Sequence, residues 1–362
     1  MKTRLLAVIL ALILCLGCLA GCSKAPPADS QTPEAPGTRE FTDSVGRTVT
    51  IPNEVKTIAV SGPLTQVYVL PLAGDMMVGV SNAFSDDAEE YLPGYIFELP
   101  ELGQLYGGKE EMDLEALLTA APDVVIDVGE AKGGIAEDLD ALTEQTNIPF
   151  IHIDATVETA PAAYRLLGEL LGREAQAEAL AKYCEDTYAD ATAMMARVDA
   201  DGARKTALYC LGDKGTNVMA SGSFHADTIN FMTENLAVVE EVVSKGSGNE
   251  VDLEQIIVWN PEVIVFDPAS VYDEVGADPA WQSVKAVADG NYFETPYGPY
   301  GWLSSPPAVQ RYLGILWLGA VLYPDYIDYD LQERVTEYYK LFYGCELTNE
   351  MYQDLIEDAM PR

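Results

Sequence analysis

Apolar and polar positions along this chain fall into one pattern that is written twice. Glu111–Val128 reads EMDLEALLTAAPDVVIDV, and Glu250–Asp267, 139 positions later, reads EVDLEQIIVWNPEVIVFD. Each copy opens on Asp-Leu-Glu and continues as an apolar run of helical spacing. It then breaks at Pro plus an acid and ends in β-branched residues. The opening Asp signals a helix N-cap, and the Pro stops the helix before a strand. An earlier pair of segments repeats as well. Val55–Gly62 (VKTIAVSG) and Arg204–Gly212 (RKTALYCLG) both set Lys-Thr before a short apolar strand that ends in Gly. The offset there is 149, so insertions separate the two halves. This spacing is too wide for a solenoid. It predicts two similar α/β lobes with a ligand cleft at their strand-end loops.

The remaining pattern fills in both lobes. Phe41–Pro52 alternates as a hairpin around Ser44-Val45-Gly46. Short apolar runs predict strands at 58–61, 77–80, 124–127, 150–153, 207–211 and 263–267. Helical spacing covers 65–73 (despite Pro71), 135–146, 224–233, 308–322 and 331–360. Thr159–Val198 is rich in Ala, Leu and Glu and has no Pro after Pro161, which suits a first helical turn. It predicts a single long interdomain helix, straight or kinked, of roughly 55 Å. Gly168 and Gly172 are its weak points. The expected division is an N-terminal α/β lobe over 40–157, the interdomain helix over 158–199 and a C-terminal α/β lobe over 200–362.

The N-terminus adds a secretion signal. Lys2 and Arg4 precede the apolar run Leu5–Leu19, which is short for a membrane span of about 20 residues. Leu19-Ala20-Gly21-Cys22 then reads as a lipoprotein signal, with residues 1–21 removed and the Cys22 thiol acylated. Residues 22–39 hold four prolines and no large apolar side chain, so they read as a tether reaching up to roughly 50 Å. These features place the protein at the extracytoplasmic face of a cell membrane, held there only by its lipid.

Charge and cysteine content narrow the function. With 21 basic and 58 acidic residues the chain carries −37, which argues against nucleic acid and against direct contact with anionic headgroups. Of six cysteines, Cys184, Cys210 and Cys345 remain beyond Cys22, without C-x-x-C spacing. That indicates neither a disulfide framework nor a zinc cluster, and leaves one bridge among the three open. The chain has no G-x-S-x-G, no H-E-x-x-H and no phosphate-binding P-loop. His152 lies in a strand pattern, and His225 has no second His or Cys at metal-ligand spacing.

The segments FTDSVGRTVTIP, SGSFHADTIN and GPYGWLSSPPAVQRYLGILWLGAVLYP, with the two D-L-E…P-[DE]-V units, complete the set. Together they resemble the substrate-binding lipoproteins of ABC importers, in the branch that handles ferric siderophores, haem and cobalamin. The resemblance covers the chain from Phe41 onward. It implies two Rossmann-like lobes on a helical spine, a monomer with little hinge motion, no catalysis and no cofactor. The permease and ATPase would be separate chains. It also implies one permease-docking glutamate per lobe, carried onto Glu115 and Glu254. The competing reading of these two is helix-dipole stabilisation, worth about 0.3–1 kcal/mol in any first turn.

Candidate ligand contacts follow from the strand-end loops. On the first lobe they are Ser61, Gly62, Pro63, Asn82, Phe84, Tyr106, Lys109 and Glu130. On the second they are Lys214, Asn217, Ser221, His225 and Tyr272, plus Tyr297, Tyr300 and Trp302 of the aromatic loop 292–307. His225 is the one candidate for touching a metal. Two departures from the family pattern stand out. Thr233-Glu234-Asn235 replaces a Gly-Gly pair, and the cleft segments offer Lys109, Lys132 and Lys214 but little Arg. The latter disfavours a triscatecholate and favours a hydroxamate chelate, a corrinoid, haem or another metal chelate. Two alternatives stay in view: a secreted hydrolase with paired carboxylates about 5–9.5 Å apart, and a cell-surface sensor or adhesin on the same fold.

Overall fold

The computed structural model describes residues 37–106, 111–268 and 270–361. The expected leader, Cys22, most of the tether and Lys109 lie outside the described residues. The body begins with the antiparallel hairpin β1 (Thr38–Thr42) and β2 (Thr48–Pro52). Asp43 fastens its turn, accepting from the amides of Val45 and Arg47 and from Arg47 Nε. Arg47 also donates to Asp140 and to the Phe150 carbonyl, which pins the hairpin to the first lobe.

The strand order of one lobe is repeated in the other. In the first, β3 (Ile58–Val60), β4 (Val124–Gly129) and β5 (Phe150–Asp154) are parallel in that order, and Met77 bridges to Ile58 on the outer side. In the second, β6 (Thr206–Leu211) is followed by the short β7 (Asn217–Val218), β8 (Glu234–Asn235) and β9 (Asn249–Glu250). The parallel run is β6, β10 (Val263–Phe266), β11 (Tyr292–Glu294), with β8 pairing β6 where Met77 pairs β3. The Thr233–Asn235 departure from the family pattern therefore supplies this edge strand. Strands buried on both faces need apolar residues at nearly every position. Alternate residues accordingly serve two cores. Val124, Ile126, Val128, Val263 and Val265 point into a central cluster, while Val125, Ile264 and Phe266 point into an outer cluster of their own lobe.

The helices are α1 (Pro63–Ala73), α2 (Leu114–Ala120), α3 (Ile135–Thr146), α4 (Ala160–Leu171), α5 (Glu174–Ala200), α6 (Asp227–Met232) and α7 (Leu253–Trp259). They continue as α8 (Tyr272–Val275), α9 (Lys285–Ala288), α10 (Arg311–Leu322), α11 (Leu331–Tyr338) and α12 (Asn349–Ile356). The expected single helix over 159–198 is corrected here. It breaks at Gly172, whose φ of 66° caps α4 in the left-handed region, and Arg173 is non-helical. Glycine takes that conformation without a Cβ penalty. Helices α4 and α5 then pack together so closely that a Cβ on Gly168 would lie 2.5 Å from the Ala177 Cβ. Arg165 clamps the pair from outside through Glu178 and Glu185, both at 2.7 Å. The chain thus passes between lobes through the 27-residue α5, about 40 Å long.

The central cluster runs without interruption from β3–β5 through α4, α5 and α10 to β6, β10 and β11, and α11 with Phe342 and Tyr343 closes it. One polar joint sits inside it. Asp227 Oδ2 accepts from the Val157 amide at 3.1 Å and from Arg311 at 3.3 Å. The Tyr312 hydroxyl donates to the Val157 carbonyl at 2.5 Å.

The helix break makes a signed prediction. In an uninterrupted helix, Gly→Ala at 168 or 172 would stabilise by about 1 kcal/mol. Here Gly168→Ala should destabilise by about 1–3 kcal/mol, because α4 and α5 must separate. Gly172→Ala should destabilise by about 1 kcal/mol through its positive φ. Urea denaturation of the two variants measures both signs.

Candidate ligand cleft

The carboxyl ends of β3 and β4 in the first lobe face a cavity of about 280 Å³. The first lobe lines it with the β3–α1 turn Ser61–Thr65, with Asp127–Glu130 at the end of β4, and with Tyr106, Lys132 and Ile135. The second lobe contributes Phe224, His225, the segment Ser244–Gly246, Pro306 and Pro307. Gly129, at φ 142°, lets β4 turn sharply at the cavity wall, a conformation largely closed to other residues.

A buried polar network stiffens the first-lobe wall. Ser61 Oγ donates to Asp127 Oδ1 and contacts Thr65 Oγ1 at 2.9 Å, and Thr65 accepts from the Val128 amide at 2.8 Å. The other Asp127 oxygen lies 2.7 Å from Nδ1 of His152, its register partner on β5. Serine here bonds to the carboxylate and not to the imidazole. The order serine–carboxylate–imidazole is not the serine–imidazole–carboxylate order that acyl transfer uses. Above it, the Lys132 ammonium lies 4.1 Å from the Tyr106 ring centroid.

On the second lobe, Ser223 Oγ accepts from the His225 amide and starts the turn that carries Phe224 and His225. Arg311, fully buried, stacks 4.7 Å from the Phe224 ring and donates to the Phe224 carbonyl. Burial lowers the His225 pKa to about 4, partly opposed by a hydrogen bond to the Ser304 backbone, with the Arg311 charge a lesser lowering effect. The imidazole is therefore neutral at pH 7, and its Nδ1 is buried without a hydrogen-bond partner. Lys245 extends from the loop that precedes the second repeat, whereas Tyr106 extends from the loop that precedes the first.

The structure brings Ser61, Gly62, Pro63, Tyr106, Glu130 and His225 of the expected contacts to this cavity. Others lie elsewhere. Asn82 is exposed away from the lining, and Phe84 packs on Phe97 at 5.2 Å. Lys214 is exposed, Asn217 donates to the Ser247 carbonyl, and the Ser221 carbonyl accepts from Asn230. Tyr272 is buried in the outer core against Tyr292. Trp302 is 0% exposed, and Tyr300 packs on Tyr343. Tyr297 borders a separate acidic hollow with Glu294, Asp354, Glu357 and Asp358. The aromatic loop thus turns its rings inward, where burying a large ring returns most free energy, and presents Pro306 and Pro307 to the cavity. Thr65, Asp127 and Lys245 are contributors that loop composition alone did not single out.

Glu115 and Glu254 stand outside the cavity, both exposed in the first turns of α2 and α7. Asp113 caps α2 through the amides of Glu115 and Ala116, and Asp252 caps α7 through Gln255. The two glutamates do not line this cavity as the carboxylate pair of a hydrolase would.

Residues 61–297 match the periplasmic binding protein family. The chain belongs to the periplasmic binding protein family. It is 23% identical over 305 residues to the Fe(3+)-citrate-binding protein YfmC of Bacillus subtilis, covering 81% of this chain and 90% of that one. An ABC transporter solute-binding protein from Sulfurospirillum deleyianum superposes with a TM-score of 0.81 at 27% identity, over 88% of this chain and 99% of that one. The molybdate-binding protein MolA of Haemophilus influenzae, bound to molybdate, shares the fold with a TM-score of 0.65 at 23% identity, over 86% and 99% of the two chains. This periplasmic binding protein is a solute-binding component of an ABC importer and not an enzyme, as its sequence resemblance implied. No helix among its described residues is long and apolar enough to cross a membrane.

The neutral imidazole gives a pH prediction. The folded pKa of His225, about 4, lies below the ordinary value of 6.5, so only the unfolded chain gains this proton between those pH values. The contribution is fully present above pH 6.5 and is lost as pH falls towards 4. Against His225→Asn, the native chain should lose up to about 3 kcal/mol of relative stability across that window. Parallel urea titrations at pH 7.5 and 4.5 check the difference.

Proposed function

We propose that this protein captures a compact iron chelate, of the carboxylate or hydroxamate class, between its lobes and delivers it to the importer's permease. The observation that carries the reading is the cavity itself. Its volume of about 280 Å³ suits a compact chelate better than a tetrapyrrole or corrinoid, since pockets for drug-sized ligands begin near about 300 Å³. Among the described residues its lining includes one ammonium group from each lobe, Lys132 and Lys245, beside the carboxylates of Glu130 and Asp127, and no arginine. Lysines facing from opposite lobes suit peripheral carboxylate or carbonyl oxygens. Phe224, Leu64, Ile135 and the proline pair suit an organic shell. His225 supplies an uncharged imidazole at the cavity wall, polar without adding charge. The iron-citrate specificity of the Bacillus subtilis relative supports the same class.

In this reading Glu115 and Glu254 dock on basic groups of the permease, one per lobe. Cys22 carries the lipid, residues 22–39 form the tether, and the protein acts as a monomer. The division into lobes over 40–157 and 200–362, joined through 158–199, follows the repeat.

None of the four tryptophans lines the cavity, so calorimetry is the suitable assay. Ferric citrate or a ferric hydroxamate should bind saturably at micromolar affinity or tighter, while haem and cobalamin should give no heat. Lys132→Ala and Lys245→Ala should each weaken binding about tenfold, and Lys214→Ala should leave it unchanged. Tight binding of haem or cobalamin, with the iron chelates ignored, would sink the proposal.

A further inference from the structure

The repeated unit leaves the same apolar knob exposed on both lobes. Helices α2 and α7 are built alike from end to end. Each is N-capped by Asp, and each ends on a non-glycine residue in the left-handed region followed by Pro: Ala121 (φ 47°) before Pro122 and Asn260 (φ 50°) before Pro261. The inward anchors correspond, Leu117 and Ile256, both 0% exposed. One residue further, Leu118 is 50% exposed and Ile257 is 38% exposed. They are the same position, 139 apart, as Glu115 and Glu254 are. Residues three apart are neighbours on a helix surface, so each lobe presents an acid beside an exposed aliphatic side chain. On α7, Val258 enlarges the knob at 75% exposure.

Position and partner can both be read from this arrangement. Each helix runs into a parallel strand, β4 or β10, so its first turn lies at the strand's carboxyl end, where the cavity is. In sequence, Tyr106 and Lys245 each precede the N-cap of the following helix, α2 or α7, by seven positions. A surface made of both helices therefore flanks the cleft. Two copies of one acid-plus-aliphatic pattern, on lobes of matching strand order, fit a partner that is itself two copies of one pattern. The acids ask for basic groups beside each aliphatic site.

We infer that Leu118 and Ile257 are docking anchors that insert into apolar recesses of a two-fold symmetric permease, each recess bordered by the basic side chain that meets Glu115 or Glu254. The inference rests on the importer reading above and adds the apolar half of the contact. Exposed ion pairs are screened by salt and hold little alone. An aliphatic side chain enclosed by its partner is not screened, and such centres carry most of an interface's affinity.

The test uses the full chain and its cognate permease–ATPase complex in lipid nanodiscs, with association measured at 50 and 500 mM salt. Leu118→Ser and Ile257→Ser should each weaken docking about tenfold, by a similar factor at both salt concentrations. Glu115→Gln and Glu254→Gln should weaken it mainly at low salt. Calorimetric affinity for ferric citrate should be unchanged in all four variants, and the melting temperature should fall by no more than about 2–4 °C. If the glutamate variants weaken docking and the serine variants do not, the apolar anchors are refuted while the importer contact stands. If none of the four matters, both fall. If the serine variants instead abolish a concentration-dependent dimer of the chain alone, seen by sedimentation, the knobs belong to a second copy and the inference is wrong.

Discussion

Everything in this molecule depends on the lobes sharing one apolar core. The inner faces of both sheets, the α4–α5 hairpin and α10 contribute to a single cluster in which Trp302, Trp317, Tyr312 and Tyr338 are essentially inaccessible. Apolar burial is worth roughly 25 cal/mol per Å², so prising the lobes apart along this seam would expose large rings at high cost. The joint of Asp227, Arg311, Tyr312 and Val157 adds a second penalty, because separating it would strand a buried cation. The cleft walls are consequently held at a nearly fixed separation. Such a cleft discriminates by the size and outer polar groups of a ligand more than by folding around it.

The electrostatics follow the same logic on a smaller scale. A chain of net charge −37 repels polyanions at a distance, so an anionic chelate must be recognised locally. At the cavity Lys132 and Lys245 stand against Glu130 and Asp127, so the lining is balanced in charge where the chain as a whole is acidic. Of the two acids, Asp127 is engaged on both oxygens by Ser61 and His152. His225 adds polarity without charge, because burial disfavours its protonation.

Much of this was legible in the sequence because it is periodic. The α3 bounds, 135–146, coincide with the apolar pattern, and the strands at 124 and 263 start where β-branched residues begin. Local signals failed where tertiary contact decides. A glycine inside a helical pattern is nearly neutral evidence, and only the close approach of Gly168 to Ala177 turns residues 159–198 into a hairpin. Gly344, at φ 68°, likewise divides the expected terminal helix between Tyr343 and the N-cap Thr348. In the aromatic loop, Gly and Pro marked irregular backbone correctly but carry no information about side-chain direction, so Trp302 went to the core. Lys245 was legible by another route. Adding the repeat offset of 139 to Tyr106 lands on it, because equivalent loops of the two lobes face the same cleft.

That equivalence ties binding to docking in one covalent piece. Within each repeat, one residue enters the core (Leu117, Ile256), one reaches the cavity from the preceding segment (Tyr106, Lys245), and an acid and an aliphatic side chain stand exposed. Seven positions separate Tyr106 from the cap Asp113, and seven separate Lys245 from Asp252. A partner that grips α2 and α7 therefore grips the roots of both cavity loops. With the shared core resisting separation of the lobes, contact at α2 and α7 is tied to the cleft through the chain segments that carry Tyr106 and Lys245 more than through the spacing of the lobes.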